Sequence, residues 1–275
     1  MRGLIWSHLL ASVCGGLAVA GVLLAFGVIG KQHTETVLSG YPATPPVSTG
    51  GGVDTSNSNQ IYAQDGPGVV SIRARLDTPV VSPFIANREP AGSTSTGSGF
   101  LISNGGYILT SYHVIAGADP TRIIVVFNDE YTRQAAVIAK SVADDVAVLK
   151  VDSMKDLPAE IQPLRLGSSR SVGVGDTALA IANPFGTQRT LSTGIVSALQ
   201  PALVGVGATV SGVIQTDLQN TAGLSGAPLL DAGGQVIGIN SQIRVDNGGS
   251  GYLVGFAVPI STVEDDEIIP KGVLP

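Results

Sequence analysis

The chain has 275 residues, enough for one large domain or two small ones and for a sizeable core. Only 13% of residues are charged and the net charge is −6, which excludes a disordered chain and a basic nucleic-acid footprint; neither DNA nor RNA is expected as a partner. The one cysteine, Cys14, excludes an intramolecular disulfide and a thiolate metal cluster.

Residues 9–30 form 22 consecutive uncharged, mostly apolar positions, enough to cross a hydrocarbon core of about 30 Å as a helix. Arg2 precedes the stretch and Lys31 and Glu35 follow it, a slight bias that puts the N-terminus inside and the bulk outside. A cleaved signal peptide with Ala18-Val19-Ala20 as its site is the alternative. The expectation is a single-pass anchor over 1–30, with the folded part on the extracytoplasmic side. Residues 31–60 are rich in Gly, Pro, Ser and Thr and read as a flexible tether.

From Ile61 onward, short runs of β-branched residues alternate with Gly, Asn, Pro and Asp. Runs at 69–73, 99–103, 107–110, 123–127, 146–151, 177–181, 194–199, 212–216, 235–240 and 255–258 predict strands. Their number and spacing argue for an all-β barrel or sandwich and against βαβ units. Asn104-Gly105-Gly106 predicts a hairpin between two of them. The stretch 152–162 breaks the rhythm and is expected to link two halves. The polar, Pro-containing loop at 82–98 is expected to be mobile, and 261–269 to hold a helical turn or two.

Three side chains invite chemistry. Ser225 sits in Thr221-Ala222-Gly223-Leu224-Ser225-Gly226-Ala227-Pro228, where small residues let backbone approach a ligand. Such a loop can aim the N–H groups of Gly223 and Ser225 at one point, as an oxyanion requires. Alone, it is only a glycine-rich turn. A serine nucleophile needs a base, and His113 is the single histidine of the folded region. Asp144 and Asp145 both open the run 146–151; on an extended chain they point to opposite sides. His113, then Asp145 32 residues later, then Ser225 a further 80 residues on, is the order of chymotrypsin-type triads. Gly223–Ala227 nearly matches the G-x-S-x-G elbow of α/β-hydrolases, but that class needs a histidine after the serine, and none follows residue 113. A subtilisin-type order would need an earlier aspartate, such as Asp77, and an α/β fold that the strand pattern denies.

Several stretches, in one order, resemble the HtrA (Deg) family of trypsin-like serine proteases over residues 61–262. They are 97–110, the histidine segment 111–118, the aspartate segment 145–151, Asn183-Pro184-Phe185-Gly186, 192–197, 215–217, 223–229, 236–240 and 255–260. The resemblance implies a chymotrypsin-like double six-stranded β-barrel, with barrel one at about 61–155, barrel two at about 163–262, and a short tail at 266–275. It implies a serine-type endopeptidase with His113 as base, Asp145 as orienter, Ser225 as nucleophile, and Gly223 and Ser225 N–H groups as the oxyanion hole. A catalytically weak or silent relative that binds unfolded segments or a membrane partner is the alternative. Gln219 resembles the pocket-base position of trypsin-like folds; not being an aspartate, it argues against a preference for Lys or Arg. The family likeness suggests small aliphatic side chains there. Polypeptide substrates are expected, with no cofactor and no metal. Family members often trimerise through the start of the domain, here Ile61 and Tyr62. Two residues depart from the family's Asn-Ser-Gly-Gly: Leu224 and Ala227. The family's C-terminal PDZ domain is not read after Pro259, so activation through one is not expected.

Overall fold

The strand sequences of this protein are apolar at odd and even positions alike, because each barrel strand has one face inside its barrel and many have the other face in a seam. Side chains alternate along a strand. Val70 and Ile72, Leu101, Ile108 and Leu149 fill one barrel's interior, while their neighbours Val69, Phe100, Leu109 and Val148 pack outward into a shared cluster. Leu179, Ile181, Leu230, Ile239 and Val258 meet them there from the other barrel. Ala178, Val196, Ile214, Leu229, Ile237 and Ala257 form that barrel's own interior. We analysed a computed structural model, described for residues 55–85, 89–128, 131–205, 208–218, 222–245 and 252–274. The apolar stretch 9–30 and the tether up to residue 54 lie outside the described residues. Among the described residues no helix is long and apolar enough to cross a membrane.

Barrel one comprises β1 (Val69–Leu76), β2 (Thr94–Leu101), β3 (Tyr107–Ser111), β4 (Ala118–Asn128), β5 (Tyr131–Ser141) and β6 (Val146–Val151), closed in the order β1-β2-β3-β6-β5-β4. Barrel two comprises β7 (Thr177–Ala182), β8 (Thr190–Gly205), β9 (Ala208–Thr216), β10 (Pro228–Leu230), β11 (Val236–Val245) and β12 (Tyr252–Pro259), closed in the order β10-β11-β12-β9-β8-β7. Every ladder pair is antiparallel. Closure pairs most strands on both sides; beyond Ile239, β11 pairs only with β12. The Asn104-Gly105-Gly106 signal does form a hairpin turn: Gly106 N–H donates to Ser103 O at 3.0 Å, with Gly106 at φ 84°.

β5 escaped the sequence reading, for a physical reason. Of its eleven residues only Ala135 is buried, so the strand shows no apolar run. β8 extends to Gly205 past Pro201, a residue that ordinarily ends a strand reading. The loop read at 82–98 is shorter, because β2 begins at Thr94. The tether also ends earlier than expected. Helix α1 (Thr55–Asp65) starts inside the 31–60 stretch and docks on barrel two. Asn57 donates to Ala232 O, and Tyr62 Oη donates to Arg189 O at 3.0 Å. Ile61 is only 6% exposed and belongs to the chain's own core. The closing helix α2 (Ile260–Asp265) buries Ile260 and Val263 within the expected C-terminal turn.

Arg189 ties the barrels at one end. Its guanidinium, from β7–β8, donates to Val69 O at 3.0 Å and Phe127 O at 2.6 Å in barrel one. Burial pulls its pKa below the usual arginine value. Asp65, at the end of α1, has its carboxylate against Gly234. Burial raises its pKa above the ordinary carboxylate value, and the Arg165 charge only partly opposes this. In the window between the unfolded and the raised folded pKa, the native state binds more protons, so stability falls as pH rises through that window. Asp65→Asn is therefore expected to raise the urea midpoint at pH 7 and to flatten its decline from pH 4 upward. Equal pH profiles for variant and wild type would contradict this.

Candidate active site

A buried carboxylate is tolerated only when donors surround it. Asp145 is fully buried and has three. His113 N–H donates to its Oδ1 at 2.8 Å, and Ser241 Oγ donates to Oδ2 at 2.5 Å. His113 Nδ1 lies 2.7 Å from the same Oδ2. An ionised carboxylate only accepts, so the proton of a neutral His113 sits on Nδ1 and Nε2 is left with its lone pair. Asp145 holds φ 56°, the left-handed region that a short polar side chain tolerates better than most. Its carbonyl accepts Tyr112 N–H at 3.0 Å. This kink turns Asp145 into the seam at the start of β6. Asp144 stays in the local turn, where its carboxylate takes the hydroxyl of Ser141 at 2.5 Å.

His113 lies in a 3₁₀ turn (Tyr112–Val114) directly after β3 and is 4% exposed. Ser225 follows another 3₁₀ turn (Ala222–Leu224) in barrel two and is 5% exposed. The seam brings the two segments together over Gly97. A β-carbon there would lie 2.6 Å from Val114 and 3.0 Å from Ser225 O, so no other residue fits without displacement. Barrel one also grips the serine loop directly. Ser98 N–H donates to Ser225 O, and Ser98 Oγ donates to Gly223 O, both at 2.8 Å. Ser98 Oγ in turn accepts Asn183 N–H at 2.8 Å. From the other side, Asn240 O accepts Gly226 N–H at 2.8 Å and Ser111 Oγ at 3.1 Å. Asn240 and Ser241 thus hold the serine loop and the carboxylate from adjacent positions on β11.

Gly223 packs on Pro184, whose side chain lies 2.8 Å from where a β-carbon would stand. The departures Leu224 and Ala227 both turn inward and form a small apolar cluster with Ala180 and Ala182. Gln219 lies outside the described residues. Among the described residues no group of three or more His, Cys, Asp or Glu is placed to hold a metal ion.

Three residues here carried no role in the sequence reading. Ser98 and Ser241 are buried serines whose hydroxyls are satisfied by hydrogen bonds to distant parts of the chain. Phe84 lies in the loop expected to be mobile, yet it is buried and its ring stacks on His113, with centroids 6.3 Å apart and planes 17° apart. Arg244 N–H donates to Pro83 O at 2.7 Å, and Gln242 Nε2 to Phe84 O at 3.3 Å. The chain's own loop therefore lies along β11 beyond the site.

A serine loop, a histidine paired to a buried carboxylate, and two antiparallel barrels meeting at a seam define the architecture of a trypsin-like protease domain. The chain belongs to the HtrA group within the family described as "Trypsin-like peptidase domain", which matches residues 97–239. It is 41% identical over 249 residues to Protease Do-like 1, chloroplastic, of Arabidopsis thaliana, covering 90% of this chain and 54% of that protein. Among solved structures, an HtrA-type protease, AlgW, with a decapeptide has a TM-score of 0.61 at 30% identity, over 79% of this chain and 68% of that one. The crystal structure of Deg5 has a TM-score of 0.57 at 29% identity, over 77% and 92%. The chain spans about half the length of Protease Do-like 1.

Gly226 tests the grip on the serine loop. It holds φ 81°, and a β-carbon would stand 2.2 Å from Ser98 O and 2.4 Å from Thr110 Oγ1. Gly226→Ala is expected to lower stability by about 2–5 kcal/mol, the left-handed backbone and overpacking combined. Gly175→Ala, at φ 96° with nothing within 4 Å, should show only the backbone part, about 1–2 kcal/mol. Urea unfolding of both variants checks the difference.

Proposed function

We propose that this chain is a serine endopeptidase that cleaves polypeptides through Ser225, His113 and Asp145. The observation that carries the reading is the buried Asp145–His113 pair at 2.7 Å. In this scheme His113 Nε2 takes the proton of Ser225 as Oγ attacks a peptide carbonyl. The tetrahedral oxyanion is received by the N–H groups of Gly223 and Ser225. His113 then gives its proton to the leaving amine, and water releases the acyl group by the same steps in reverse. Asp145 stays ionised, fixes the imidazole tautomer and stabilises the imidazolium.

One oxyanion donor is worth about 10²–10³ in rate. One movement precedes the chemistry: an extended substrate adding to the edge of β11 has to displace Pro83 and Phe84, which Arg244 N–H and Gln242 Nε2 hold there. Segments already unfolded meet that demand best, and they are the substrate class we assign. The uncharged stretch 9–30 is assigned as the single-pass anchor that keeps the domain on the extracytoplasmic side of a membrane; a relative from Hahella chejuensis, 43% identical over 178 residues, is named as a probable periplasmic DegP-like serine endoprotease.

Labelling with a fluorophosphonate probe and hydrolysis of casein test the scheme. Ser225→Ala is expected to abolish both, a loss of about 10⁶-fold in kcat, with an unchanged unfolding midpoint. Asp145→Asn should lose about 10⁴-fold through the wrong tautomer, while Asp144→Asn, confined to its local turn, should stay within a few-fold of wild type. Casein cleavage by Ser225→Ala at the wild-type rate, or inactivation by the Asp144 change alone, would sink the assignments.

A further inference from the structure

Ser98, on β2 of barrel one, is fully buried, and its hydroxyl joins two segments of barrel two. Asn183 N–H donates to Ser98 Oγ at 2.8 Å, and Ser98 Oγ donates to Gly223 O at 2.8 Å. An N–H only donates and a carbonyl only accepts, so the direction of this relay is fixed, with the hydroxyl proton on the side of Gly223 O. The backbone of the same residue adds a second bond, Ser98 N–H to Ser225 O at 2.8 Å, and Leu224 O between them accepts Ala227 N–H at 2.9 Å. Three successive carbonyls of the serine loop are thus held, and Ser98 holds two of them.

A peptide unit is planar, so a held carbonyl also fixes the N–H at its other end. Leu224 O, bonded within the loop, fixes Ser225 N–H in this way. Gly223 N–H is controlled differently. On its C-terminal side it is joined to the held part of the loop through the backbone torsions of Gly223, and glycine torsions turn over a wide range at little steric cost. Two contacts bear on that rotation. Pro184 packs where a β-carbon would stand, 2.8 Å away, and Ser98 Oγ holds Gly223 O. Removing the hydroxyl releases Gly223 O and also leaves Asn183 N–H, in a residue 1% exposed, without that acceptor.

We propose that Ser98 is a positioning residue for the oxyanion site: its hydroxyl holds Gly223 O so that Gly223 N–H keeps one direction. The proposal rests on the protease reading and deepens it, because it names the residue of barrel one on which an oxyanion donor of barrel two depends. Ser98 acts through Gly223 and touches no reacting atom. Loss of one oxyanion donor costs about 10²–10³ in rate. The cost falls on kcat, since that donor is engaged most strongly in the transition state.

The test uses the full chain, with casein hydrolysis and the rate of fluorophosphonate labelling as readouts. Ser98→Ala is expected to lower kcat by about 10²–10³-fold, with KM within about threefold of wild type. The low-field proton resonance of His113 Nδ1 should stay in place, because Asp145 and its three donors are untouched. Thr110→Val is the control. It removes another buried hydroxyl of barrel one, which donates to Ser98 O at 2.7 Å and not to a carbonyl of the serine loop. Its kcat should stay within about threefold of wild type. If Ser98→Ala does not fold, Ser98→Cys decides: a thiol is a weak donor, and kcat should fall by about tenfold or more. Four outcomes would overturn the proposal: kcat near wild type in the Ser98 variants, an effect on KM alone, an equal loss in Thr110→Val, or loss of the His113 resonance. Labelling separates the two readings. Equal labelling rates for wild type and Ser98→Ala remove the role of Ser98 alone, and no labelling of wild type removes the protease reading.

Discussion

The carboxylate of Asp145 is the interaction on which the rest of the structure depends. It is supplied by barrel one, fully buried, and one of its three donors, Ser241, comes from barrel two. A buried charge left without donors costs several kcal/mol. The barrels must therefore dock in one register for this group to keep its three donors. The pair also fixes the histidine ring, since backbone and side chain of His113 are held by the two oxygens of one carboxylate.

The serine loop has no such charge to anchor it and is held instead by backbone groups. Ser98 contributes its N–H and hydroxyl from barrel one, and Asn240 its carbonyl from barrel two. Side-chain identity in the loop is then constrained by space more than by bonding. Leu224 and Ala227, which break the family's polar pattern, fit because they fill an apolar cluster and leave the N–H groups untouched.

Much of this was legible in the sequence, in proportion to how local its cause was. Strands with two apolar faces, such as β1, β6 and β7, announce themselves because burial on both sides leaves an unbroken apolar run. β5 does not, since its single buried residue, Ala135, carries no period. Helix α1 was masked by its polar composition; its stability comes from docking Ile61 and Tyr62 on barrel two, which no local pattern announces. In the site, chain order and strand phase pointed to His113, Asp145 and Ser225. The kink at Asp145, at φ 56°, separates it from Asp144 by a different route from simple strand alternation. Ser98, Ser241 and Phe84 act through contacts with residues far along the chain, and serines or a lone phenylalanine in a loop carry no local mark of that.

The loop that lays Phe84 over His113 and bonds Pro83 to β11 has a consequence for competition. It is tethered to the site it covers, so its effective concentration, on the order of millimolar for a short tether, never falls when the surroundings are dilute. On the reading proposed above, a polypeptide pairing along β11 competes with this resident segment, and its apparent affinity is reduced by the fraction of molecules in which the edge is covered.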